Sequence, residues 1–290
     1  MKNSLFIFGL GYSASVLAKN LAAKNWHISG TSRDYNKLRD YQFLGYEMFD
    51  FADTNIQRAL IKSTHLLISI PPTEQIDPIL ELYGNYLRSN LNGSSLQWIG
   101  YLSSTGVYGD HQGAWVDEDT LLKPSNNKRT EQRIAAEIAW LTLGQELNIQ
   151  TSIFRLAGIY GPNRNVIQQL KHGQAQCIFK EGQVFSRIHV DDIANILEIS
   201  MHGLRAGTIY NISDDEPASS HEVMQYAASL LGLPPPKIIP YNQATLSEMA
   251  QEFYSNNRRI KNDRIKNYLG VKLQYPTYRE GLAALIASVS

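Results

Sequence analysis

The chain has 290 residues, 43% of them hydrophobic and 19% charged, enough for a sizeable core in one large domain or two small ones. Lys+Arg and Asp+Glu balance at 27 each, which argues against a nucleic-acid partner or an anionic membrane surface. The single cysteine, Cys177, forms no internal disulfide; it suits a reducing cytoplasm and reads as a small core residue.

The first segment, MKNSLFIFGLGYSASVLA, has a lysine, an apolar stretch and then small residues, the outline of a signal peptide. Glycines at 9 and 11 break the apolar run too early for that. No stretch reaches the ~20 apolar residues of a membrane helix. A soluble cytoplasmic protein is expected.

In chain order, LFIFG (5–9) is a buried strand and YSASVLAKNLAAKN has helical spacing. WHISGTSR (26–33), YEMFD (46–50), HLLISIPP (65–72) and LQWIGYLSSTGVYG (96–109) are further strand runs, with helical patterns between them. NNKRTEQRIAAE (126–137) opens the next helix, and IQTSIFRLAGIYGP (149–162) follows it as a strand. Strands that are continuous apolar runs suit a parallel sheet covered on both faces. The fold class is α/β, a doubly wound parallel (Rossmann) sheet with a smaller C-terminal substrate-binding region.

After Pro162 the alternation fades. VFSRIHVDDIANILEISMHG predicts a short strand into a helix, and GTIYNISDDEP another strand. LLGLPPPKIIP reads as a proline-rich break, and the tail predicts two helices. Residues 1–162 are therefore assigned to a dinucleotide-binding domain, with returning segments near 185–213. The smaller substrate-side region takes 163–184 and 214–290.

Gly9-x-Gly11-x-x-Ala14 lies at the first strand–helix join. Gly9 permits the tight turn, Gly11 lets a pyrophosphate approach the backbone, and the small Ala14 permits close packing. The amides of Tyr12 and Ser13 open the helix and face that anion. At the end of the second strand, Thr31, Ser32 and Arg33 favour the 2′-phosphate of NADP, while Asp34 keeps NAD open. Asp50 ends the third strand, where a carboxylate accepts from an adenine amino group or caps a helix near Thr54. Ile70 and Pro71 end the fourth and line the crevice.

The glycine turn, LSSTGVYGD, VDEDT (116–120), FRLAGIYGP, RIHVDDIA and YNISDDEP, in that order, resemble the extended short-chain dehydrogenase/reductase family. This is the NAD-dependent epimerase/dehydratase group, which acts largely on nucleotide sugars. The resemblance spans nearly the whole chain and implies a Rossmann domain with a smaller C-terminal substrate domain. It implies that Ser104 is the catalytic Ser/Thr position. The family then has a proton-shuttling Tyr and, four residues on, a Lys that lowers its pKa and bonds the nicotinamide ribose. At the family spacing those positions are 129 and 133, and Ala136-Glu137 matches the small-residue–Glu pair that follows. Here they hold Arg129 and Arg133, and no tyrosine lies between Gly109 and Ile159.

Arginine stays protonated in proteins and is no general base. Arg129 is left to polarise a carbonyl or hold a carboxylate or phosphate, and Arg133 to keep the ribose contact. His111 is the best alternative proton carrier by chemistry, against a plain reading as an exposed loop histidine. Tyr108 and Tyr160 match structural or substrate-lining positions, His189 a buried structural histidine, and Asp214-Asp215-Glu216 a solvated turn. No metal is expected, because the seven histidines show no ligand spacing.

Two functions compete. One is an NADP-dependent reductase or epimerase acting on a nucleotide sugar or another small polar metabolite, anionic ones included. The other is a non-catalytic NADP sensor or regulator. A homodimer through a helix pair is what the family implies.

Overall fold

The computed structural model describes residues 2–73, 76–123, 127–173, 175–202 and 208–287. The strands are β1 (Ser4–Phe8), β2 (His27–Thr31), β3 (Glu47–Phe49), β4 (His65–Ile68), β5 (Trp98–Ser104), β6 (Trp115–Val116), β7 (Gln150–Leu156), β8 (Gly158–Tyr160), β9 (Cys177–Phe179), β10 (Arg187–His189), β11 (Thr208–Ile212), β12 (Ile238–Pro240) and β13 (Arg259–Ile260). The helices are α1 (Tyr12–Ala23), α2 (Tyr35–Phe43), α3 (Ile56–Lys62), α4 (Pro78–Asn90), α5 (Lys128–Leu147), α6 (Val166–Lys171), α7 (Val190–Ser200), α8 (Ser220–Leu230), α9 (Glu248–Ser255), α10 (Asp263–Leu269) and α11 (Tyr278–Ala287).

The chain packs as two compact units. The first comprises residues 1–107, 125–155 and 193–210 and the second 108–124, 156–192 and 211–290. The main sheet is seven-stranded in the order β3-β2-β1-β4-β5-β7-β11. β1 pairs in parallel with both β2 and β4, so the strand order reverses between β1 and β4. In open α/β sheets that reversal leaves a crevice beyond the carboxyl ends of the strands. Strand period 2 sorts the core. Phe6 and Phe8 of β1, Leu66 and Ile68 of β4 and Ile99 and Tyr101 of β5 pack with Leu60, Ile79, Leu87, Trp140 and Leu143 of α3, α4 and α5. Ala14, Leu17 and Leu21 form the buried stripe of α1. No helix among the described residues is long and apolar enough to cross a membrane.

The second unit is built on short two-stranded pairs, β8–β10, β9–β12 and β6–β13, all parallel. Its core gathers Tyr160, Ile167, Val223, Ala227, Tyr278 and Leu282. The run 149–162, read as one strand, breaks at Ala157 into β7 of the main sheet and β8 beside β10. Within 185–213, β11 joins the main sheet but β10 does not, because its partner is β8. The proline-rich break carries β12, which pairs with β9 through Ile238 and Ile239. Cys177 is buried.

Asp214 is no solvated turn residue. It is 1% exposed, and its main-chain amide donates to the carbonyl of Arg187. Burial raises the Asp214 carboxyl well above the usual range, and the Arg187 guanidinium partly offsets that. His189 is buried, accepts at Nδ1 from the amide of Asp191 and meets Tyr160 edge-on. His111, expected on an exposed loop, is half-buried, with Nε2 3.1 Å from the carbonyl of Tyr108.

Candidate functional site

The site is built where β1 to β5 end. Leaving β1, the chain turns at Gly9, whose φ of +86° favours glycine. A Cβ there would also lie 2.5 Å from Cγ1 of Ile70, two residues beyond β4. The two strand ends at the topological switch point are therefore packed together. Thr31 of β2 braces the turn. Its Oγ1 accepts from Gly9 N at 3.0 Å and its carbonyl from Leu10 N at 2.9 Å. Expected beside a ribose phosphate with Ser32 and Arg33, Thr31 is instead fully buried beneath the glycines.

Gly11 is different. Its φ of −96° suits any residue, and a Cβ there would meet only the Gly9 carbonyl oxygen, at 3.9 Å. Nothing in the protein's own packing requires glycine at 11. Gly11 is also the N-cap of α1, and no side chain caps that helix, whereas α2, α4 and α5 are capped by Asp34, Asp77 and Asn127. An uncapped N-terminus with open space before it suits an anion. Tyr12 and Ser13 open α1, half-buried and buried respectively.

Beyond β2, Ser32 is buried and Arg33 exposed. Asp34 is committed: its Oδ1 accepts from the amides of Asn36 and Lys37 as the cap of α2. Asp50 is exposed and forms a local turn, accepting from Ala52 N at 2.8 Å. It does not cap a helix near Thr54, since α3 begins at Ile56. Ile70 is half-buried and Pro71 exposed.

Ser104 closes β5. It is half-buried, and its Oγ accepts from Gly106 N at 3.0 Å. Asn127 caps α5 through the amide of Arg129, so both arginines lie in its first two turns. Their fates differ. Arg129 is exposed, whereas Arg133 is half-buried and its Nη1 donates to the carbonyl of Leu102 on β5 at 3.3 Å.

Two buried polar anchors hold α5. Glu137 forks onto Arg155 of β7, with Oε2 2.7 Å from Nη2, and accepts from Ser103 of β5. Asp77 accepts from Trp140 Nε1 at 3.1 Å while its other oxygen caps α4. Burial pushes the Asp77 carboxyl up; the cap amides, Trp140 and the charge of Arg133 pull it back. Neither Asp77 nor Trp140 stood out in the sequence. The signal available was Asp77-Pro78, a capping residue before proline at the first helical position.

The model of the NAD dependent epimerase/dehydratase family matches residues 6–213. A conserved protein of unknown function from Silicibacter pomeroyi DSS has the same fold, with a TM-score of 0.89 and 43% identity over 100% of both chains. Protein YeeZ of Escherichia coli K12 is 26% identical, over 93% of this chain and 95% of its own length. A 3-diazoavenalumate denitrifying reductase from a Streptomyces species is 28% identical over 58% of each chain.

Proposed function

This chain belongs to the NAD-dependent epimerase/dehydratase family, and from that premise we propose that it is an NAD(P)H-dependent reductase of a small polar metabolite. The observation that carries the proposal is the pair of arginines, Arg129 and Arg133, in the first two turns of α5, one turn apart and beyond the strand that ends at Ser104. Epimerisation through a ketone begins by oxidising an alcohol, and that step needs a group that accepts a proton. A guanidinium does not accept one. Reduction asks for the opposite. Negative charge builds on the acceptor atom, where a fixed cation stabilises it without giving up a proton. Ser104 would be the hydroxyl that donates to that atom, and water would supply the proton that completes the product. That a relative is a reductase fits this direction.

The dinucleotide, when bound, supplies the hydride. Gly9, Gly11, Tyr12 and Ser13 would hold its pyrophosphate, Ile70 and Pro71 would wall the crevice, and Asp50 would face the adenine. Arg133 would reach the nicotinamide ribose. NADP is favoured over NAD because Ser32 and Arg33 follow β2 directly while Asp34, the acid that would bond a free ribose hydroxyl, is occupied as a helix cap.

The test has two stages. Fluorescence titration with NADPH and NADH measures binding. Deuteride transfer from labelled NADPH to a metabolite extract, read by mass spectrometry, measures turnover. Binding with deuterium in a product is expected. Binding with no transfer to any metabolite would favour the non-catalytic sensor, and absence of binding would overturn both readings.

A further inference from the structure

Asp77 and Trp140 belong to none of the motifs that mark the dinucleotide site, yet both are tied to one of its charges. Asp77 precedes α4, and Trp140 follows Arg133 on α5; both are buried, and all three residues lie in the first unit.

The carboxylate of Asp77 is held from two sides. Its Oδ1 accepts from the amides of Ile79 and Leu80 at 3.0 and 3.1 Å, and Pro78 fixes the backbone between them. Its Oδ2 accepts from Nε1 of Trp140 at 3.1 Å. The Trp140 ring stacks on Tyr101 of β5, with centroids 6.4 Å apart. Tyr101 immediately precedes Leu102, whose carbonyl accepts from Nη1 of Arg133 at 3.3 Å. A chain of packed and hydrogen-bonded groups thus runs from Asp77 through Trp140 and Tyr101 to the peptide that holds Arg133.

Charge balance joins the two ends of that chain. The neighbouring buried carboxylate, Glu137, is spent on Arg155, with Oε2 2.7 Å from Nη2. Among the described residues, the hydrogen bonds to Asp77 come from neutral donors, and that of Arg133 goes to a neutral carbonyl. The buried hydroxyl of Tyr101 has no hydrogen-bond partner. Burial raises its pKa, the charge of Arg133 pulls it down and that of Asp77 pushes it up, so both charges lie near this one hydroxyl. A buried carboxylate is costly without a cation, and a cation near it removes part of that cost. A guanidinium drawn to a fixed carboxylate also loses less freedom when a ligand arrives.

We propose that Asp77 is a positioning residue for Arg133: its carboxylate, aligned by Trp140, is the buried counter-charge that holds the guanidinium ready for the nicotinamide ribose. The role of Arg133 toward the cofactor rests on the proposed function. The coupling of Asp77 to Arg133 is a property of the protein alone.

A double-mutant cycle on the full-length protein, with Asp77→Asn and Arg133→Met, tests this in two readouts. Asparagine keeps an oxygen to cap α4 and removes the charge. In urea unfolding, the double variant is expected to be at least about fivefold more stable, as an equilibrium constant, than the two single losses combined would leave it. In fluorescence titration, Asp77→Asn is expected to weaken NADPH about tenfold, but at most about twofold where Arg133 is already methionine. A residue that only supports the fold would weaken NADPH equally in both backgrounds. Trp140→Phe keeps a ring against Tyr101 and the charge of Asp77 but loses the indole N–H; it is expected to weaken NADPH about threefold. Equal weakening in both backgrounds, additive unfolding losses, or wild-type affinity in Asp77→Asn or Trp140→Phe would each overturn the assignment and leave the functional reading standing. Absence of NADPH binding by wild type would overturn the functional reading and the assignment with it.

Discussion

Two alanine substitutions two residues apart are expected to behave in opposite ways. At Gly9 the backbone has φ +86° and a new Cβ would sit 2.5 Å from Cγ1 of Ile70. The left-handed backbone alone costs an alanine about 1–2 kcal/mol. The overlap with Ile70 adds about 1–3 kcal/mol. Gly9→Ala should therefore lose at least about 1 kcal/mol of stability, even after the smaller gain from a stiffer unfolded chain. At Gly11 the backbone is ordinary and the nearest atom is 3.9 Å away. Replacing a glycine N-cap by alanine costs a few tenths to about 1 kcal/mol. The reduced freedom of the unfolded chain returns about 0.4–1 kcal/mol. Gly11→Ala should stay within about 0.5 kcal/mol of wild type in urea unfolding. The same methyl stands where a pyrophosphate would meet the α1 amides, so NADPH affinity should fall at least about tenfold. A folded Gly11→Ala that binds NADPH as wild type does would refute the idea that the glycine exists for the ligand. A Gly11→Ala as unstable as Gly9→Ala would refute the packing argument.

Three further outcomes follow from other parts of the first unit. Arg33→Ala should weaken NADPH about tenfold or more while leaving NADH within about twofold, as titration fluorescence will read; equal losses would reject the preference for NADP. Glu137→Leu removes the buried carboxylate that forks onto Arg155 and should cost about 3–5 kcal/mol, whereas Glu137→Leu with Arg155→Met should recover most of it; additive losses in a denaturation cycle would show that the pair is not coupled. His65 is buried between Trp26 and Trp98, and burial pushes its pKa down to about 4. Between pH 6.5 and 4 the unfolded chain thus binds more protons than the folded one, and this contribution to stability falls with falling pH by up to about 1.4 kcal/mol per unit. His65→Phe should flatten the pH dependence of urea unfolding over that window; identical slopes would contradict the assignment.

The main sheet was legible because its signals are local. β1, β4 and β5 contain apolar runs flanked by turn residues, and a parallel sheet buried on both faces writes itself that way. The second unit was not, because its strands are two or three residues long and pair across large sequence gaps. Arg259 lies beside Trp115, and Ile238 beside Cys177. Such pairings leave no period to count. The break at Ala157 escaped notice for the same reason: apolar composition continues through it, and only the change of partner from the main sheet to β10 marks it. Asp214 misled because a run of acids before a proline has the composition of an exposed turn. Its half-buried partner, Arg187, is distant in sequence.

The two arginines of α5 illustrate what spacing does and does not say about a site. Residues four apart share a helix face, so sequence alone gives Arg129 and Arg133 one direction. Depth is set by the neighbours. Arg133 lies one turn further into the helix, where β5 runs alongside, and its guanidinium reaches the carbonyl of Leu102. The anchors at Glu137 and Trp140 follow at the next turn and hold that part of α5 against the sheet. Arg129 sits before those anchors, exposed, with its amide serving the N-cap. A cation fixed by the main chain and backed by buried hydrogen bonds is preorganised. On the proposed reading, Arg133 is therefore the fixed charge that orients the cofactor and stabilises the developing anion. Arg129, exposed on the first turn, is the group that meets the substrate. Arg133→Met should then lower turnover even at saturating substrate, and Arg129→Met should chiefly raise KM. Equal effects of the two on kcat would show that the difference in depth has no bearing on their roles.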